Sequence, residues 1–101
     1  MRVKKFRLFG HNITVNYLKL ITAPDGTHPY GICYVEKNLI EVATHSPSLK
    51  CPLHPDFIKQ VFYHELSHMY MAMLSKNDLF SDEIFIDQLG CLMAQFEATR
   101  K

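Results

Sequence analysis

The chain has 101 residues, 48% of them apolar, which suits one small domain over residues 1–101 with a modest core. Eleven basic against ten acidic side chains leave a formal charge of +1, so bulk electrostatics draw it neither to nucleic acid nor to an anionic membrane. The basic opening MRVKKFRLFGHN lacks the apolar run of a signal peptide and no stretch reaches the length of a membrane span, so a soluble, unprocessed, cytoplasmic protein is expected.

The first half reads as strand. RLFGHNITVNYLKLI is rich in Ile, Val, Tyr and Leu, and APDGTHPYG punctuates it with Pro, Asp-Gly and Gly. GICYVEK and LIEVAT follow as two β-prone runs joined around Lys37-Asn38, which predicts an antiparallel hairpin over residues 31–44 and a small antiparallel sheet of about three strands. Residues 44–56 carry three prolines and read as loop. Cys33, Cys51 and Cys91 are widely spaced, odd in number and form no C-x-x-C pair, the pattern of reduced thiols rather than of disulfides or a cysteine zinc site.

The period then changes. Pro55 suits a first helical turn, and Ile58, Val61, Phe62, Leu66, Met69, Met73 and Leu74 recur at helical spacing, predicting a helix from Pro55 to about Ser75. Lys76-Asn77 can end it. Ser81, Asp82 and Glu83 can start a second helix reaching about Thr99. Met69, Met73, Phe85 and Phe96 read as core. The expected class is α+β: the sheet, then two long packed helices.

The first helix carries HELSH at residues 64–68. Residues i and i+4 of a helix share a face, so His64 and His68 aim their imidazoles at one point and can hold a zinc ion there. Glu65, rotated about 100° from His64, lies beside the metal's open position as a general base for metal-activated water. A shuffled chain of this composition would contain the string about 2% of the time, so its mid-helix context carries much of the weight. Catalytic zinc takes a third side chain. Met71 and Leu74 stand where a three-histidine protease would need Gly and His, and no histidine follows His68. The third ligand is therefore Glu83 or Asp87 or, less favourably, Cys91. On the second helix Glu83, Asp87, Gly90, Cys91, Ala94 and Ala98 share a stripe whose small residues allow close approach to HELSH. Tyr63, Tyr70, Tyr30, His45 and His54 are all candidates to stabilise an oxyanion.

HELSH on one helix, with Glu83 and Asp87 four apart on the next, resembles the gluzincin metallopeptidases, the thermolysin-like division of the zincins. It is similar to their compact phage and mobile-element versions and, more loosely, to ImmA/IrrE-type peptidases. The resemblance spans residues 57–97; Asp82 stands where thermolysin-like enzymes carry Asn, and Glu83 follows His68 by only 15 positions. It implies a zincin-like domain in which His64, His68 and Glu83 hold zinc, Glu65 is the base, and Asp87 orients His64. It also implies an extended peptide substrate bound by strand addition to the 31–44 hairpin. Zinc-dependent peptide hydrolysis is the expected function. The alternatives are a non-catalytic metal-binding or interaction protein, such as a phage structural or regulatory component, and an α+β domain without metal.

Overall fold

In the computed structural model, which describes residues 2–101, four strands precede three helices. The long first run breaks in two. Phe9 and Gly10 both take positive φ, 49° and 80°, the pair of left-handed residues that lets a two-residue turn follow the twist of its strands. Strand β1 (Lys5–Leu8) thereby pairs antiparallel with β2 (His11–Leu18), Leu8 opposite His11. Phe-Gly lacks the Asn-Gly signature of such turns, so the run reads in sequence as one strand.

Strand β3 (Gly31–Tyr34), a single 3-10 turn at Val35–Lys37, left-handed Asn38 and strand β4 (Leu39–Ala43) form the expected antiparallel hairpin. Its placement differs from the expectation. β4 lies against β2 and runs parallel to it, Thr14 opposite Leu39, so the order is β1-β2-β4-β3 and the sheet is four-stranded and mixed rather than three-stranded and antiparallel. The cause is burial: Ile40, Val42 and Ala43 of β4 expose no surface, which a central strand permits and an edge strand does not. β3 is left as an open edge.

Helix α1 (Pro55–Met73) lays Ile58, Phe62, Leu66 and Met69 on Ile13 and Val15 of β2 and Ile40 and Val42 of β4. Each such buried side chain contributes about 1.5–3 kcal/mol relative to exposure. The helix starts with Pro55 as expected, but its cap is His54, whose Nδ1 accepts the Asp56 N–H at 3.1 Å. It stops at Met73, where Ser75 turns left-handed at φ 57°. The Ser75 N–H then donates to the Ala72 carbonyl at 3.0 Å and the Lys76 N–H to the Met71 carbonyl at 2.8 Å, the paired bonds of a Schellman end.

The expected break at residues 76–77 instead opens a one-turn helix, α2 (Asn77–Phe80), giving three helices rather than two. Asp82 caps α3 (Glu83–Thr99) by accepting the Phe85 N–H at 3.0 Å. A side chain on Gly90 would sit 2.9 Å from the His64 backbone, so the close approach of α3 to α1 falls at the first residue of HELSH. Of the four side chains read as core, Met69 is wholly buried, whereas Phe96 is 69% exposed. Ile86 and Gly90 are the buried residues of α3, and Phe96 lies beyond them toward its C-terminal end. Among the described residues no helix is long and apolar enough to cross a membrane.

Candidate metal centre

Two stripes run along α1. One faces the sheet and is apolar; the other holds Val61, His64, Glu65 and His68 and faces α3 and β3. The close approach at Gly90 brings the first turn of α3 over the second stripe. His64 Nε2 lies 3.2 Å from one Glu83 oxygen and His68 Nε2 3.3 Å from the other. The ligand atoms of His64, His68 and Glu83 all lie within 4.8 Å of one another, and this group can hold a metal ion.

The remaining ring nitrogens have their own partners. His68 Nδ1 is 2.8 Å from the Phe80 carbonyl oxygen, which only accepts, so Nδ1 carries the proton and Nε2 is free to present a lone pair. His64 Nδ1 lies 3.5 Å from Asp87 Oδ1. Asp87 thus stands on the far side of the His64 ring from Glu83 and outside the metal-capable group. Cys91, one turn further along α3, takes a hydrogen bond from Gln60 at 3.1 Å and is also outside it. Burial lowers the His68 pKa below the usual imidazole value despite the Glu83 charge beside it. The neutral ring is the form that ligates.

Glu65 is buried at 7% exposure against Gly31 at the start of β3. Burial, with a smaller contribution from the Glu83 charge, pushes its carboxyl up to about 8 in the metal-free chain. Burial and then the Glu65 charge push the neighbouring Cys33 thiol up to about 12, which leaves it protonated and unreactive. All three cysteines are free.

A groove of about 270 Å³ opens where β3 meets α1, with Tyr30, Phe57 and Val61 on its walls beside His64, Glu65 and Asp87. Tyr30 and Phe57 meet edge to face, 5.1 Å between ring centres. Of the five candidates for oxyanion stabilisation only Tyr30 lines this groove. Tyr63 packs on Phe62 beside a different hollow, Tyr70 lines an apolar one with Leu8 and Met73, His54 caps α1, and His45 Nδ1 lies 2.8 Å from the Thr44 hydroxyl.

Gly31, the first residue of the outermost strand β3, lines this groove beside Tyr30. The Ala43 N–H donates to the Tyr30 carbonyl at 2.7 Å, so by antiparallel alternation Ile32 and Tyr34 also bond to β4 while Gly31 and Cys33 turn their N–H and C=O groups to the open edge. The Phe80 carbonyl and Gly31 escape sequence reading, because a backbone acceptor carries no side-chain signature and a glycine opening a strand looks like punctuation. Comparison with known protein families, with curated proteins and with solved structures returns no match to the chain.

Proposed function

We propose that the chain is a zinc-dependent peptidase, a compact zincin-like domain of the gluzincin kind. The observation that carries this is the convergence of both Nε2 atoms on the Glu83 carboxylate, with His68 Nδ1 held by a backbone carbonyl and His64 Nδ1 facing Asp87. Two imidazoles and one carboxylate are a donor set suited to zinc, whose catalytic sites add a water in the fourth position. His64, His68 and Glu83 would hold the ion, and Asp87 would orient His64.

When bound, the metal supplies Lewis acidity toward a water molecule and the scissile carbonyl. Glu65 takes the proton of the attacking water and delivers it to the leaving amine. Burial holds the Glu65 carboxyl up at about 8, and its ionised form, the one that accepts the proton, would be favoured by a dication held by His64, His68 and Glu83. An extended peptide is bound by strand addition, pairing with the outward groups of Gly31 and Cys33. The walls formed by Tyr30, Phe57 and Val61 take an apolar side chain next to the cleaved bond. Three free cysteines fit a reducing compartment, in keeping with a cytoplasmic location.

Zinc content and cleavage of a peptide library test the reading together. The wild type is expected to retain zinc and to cleave; His64→Ala loses zinc. Glu65→Gln keeps zinc and loses cleavage by about 10²–10⁴-fold. Zinc held without any cleavage would replace the peptidase with a non-catalytic metal-binding protein.

A further inference from the structure

Gly31 meets α1 at its second stripe. A Cβ built on it would lie 2.7 Å from Val61 Cγ1, 2.9 Å from Glu65 Cγ and 3.0 Å from Glu65 Oε2, all closer than a side chain tolerates without displacing its neighbours. The space a side chain would fill is already taken by the Glu65 carboxylate arm. Among the described residues Glu65 enters no ion pair, and its Cγ and Oε2 lie directly against the Gly31 main chain. Gly31 also turns its N–H and C=O to the open edge of β3.

We infer that Gly31 is a positioning residue: the missing side chain lets the edge strand lie directly on Glu65 and hold its carboxylate at the wall of the groove beside His64. The inference rests on the peptidase reading. One residue thus presents its main-chain N–H and C=O to a bound peptide and its Cα face to the base, so the base keeps a constant offset from the peptide bond presented to it. A methyl group at this point leaves the edge groups available for pairing and pushes the carboxylate away. The expected signature is therefore a loss in kcat with KM retained.

Gly31→Ala in the zinc-loaded protein is expected to lower kcat by about 10- to 100-fold, as misplacement of a reacting group by about 1 Å does, with KM and zinc content unchanged. The double variant Gly31→Ala, Val61→Ala removes the shortest contact, to Val61, and leaves those to Glu65. Measured against Val61→Ala alone, which reports the loss of that groove wall, it is expected to stay slow in kcat by the factor seen for the single variant. Side-chain carbon couplings of Glu65 in the metal-free wild type are expected to report one rotamer. Wild-type kcat in Gly31→Ala, restored kcat in the double variant, or rotamer averaging of Glu65 in the wild type would each overturn the inference. If Gly31→Ala does not fold, the wild-type couplings decide. If the wild type cleaves no peptide, the peptidase reading fails by itself, and the couplings still show whether Gly31 holds Glu65.

Discussion

The two stripes of α1 run along one helix and serve opposite ends. Ile58, Phe62, Leu66 and Met69 are buried on the sheet and stabilise the fold. Val61, His64, Glu65 and His68 face α3 and β3, where the imidazoles meet Glu83 and the Glu65 carboxyl is buried without an ion pair, at a cost to its ionised form. One helix can do both because adjacent residues point about 100° apart. Changes on the sheet stripe should therefore cost stability, and changes on the other should cost metal or activity while sparing or improving stability.

Phe62→Ala gives the sharpest test of the first stripe. Phe62 is 4% exposed and meets Phe6 edge to face, so a loss of about 3–5 kcal/mol is expected in denaturant unfolding, enough to threaten the fold of so small a domain. On the second stripe, Glu65→Gln should change the pH dependence of stability. The folded carboxyl titrates at about 8 against 4.5 when free, so it binds its proton more tightly when folded. Its contribution is full below pH 4.5 and is lost as pH rises through about 8. Metal-free wild type should lose stability across that window, and the Gln variant should lose less. Equal slopes would break the contrast between the stripes.

Asp87→Asn probes the His64 side of the centre. It should weaken zinc affinity by about 10- to 100-fold with little change in unfolding of the metal-free chain. His68 offers no equivalent variant, because its Nδ1 partner is the Phe80 backbone. The smallest effect lies beyond both stripes. Ser75→Gly relieves a left-handed non-glycine residue and should raise stability by about 0.5–1 kcal/mol without altering zinc affinity.

What could be read in the sequence followed from local periodicity. Pro55 and the spacing of Ile58, Phe62, Leu66 and Met69 announce α1 and its buried face, and the i, i+4 spacing of His64 and His68 aims both at one point. The hairpin around Asn38 was legible too, since its turn and flanking β-branched residues are neighbours in the chain. The Phe9-Gly10 turn was not, because Phe carries no preference for positive φ. Nor was Phe96, whose apolar character says nothing of whether a partner element reaches it.

The choice between Glu83 and Asp87 marks the boundary most clearly. Helical spacing alone leaves the two carboxylates open, one turn apart on a stripe aimed at HELSH, and only the family resemblance favours Glu83 as the ligand. Only the docking of α3 at Gly90, and the extra turn α2 that sets its height, bring Glu83 between the two Nε2 atoms and leave Asp87 at His64 Nδ1. Likewise the hairpin was expected, but its insertion beside β2 with β3 outermost came from burial of Ile40, Val42 and Ala43. Local sequence determined which residues share a helix face or a turn, because helical and strand periods are properties of consecutive residues. Tertiary structure decided which faces meet, because that depends on the burial of side chains far apart in the chain.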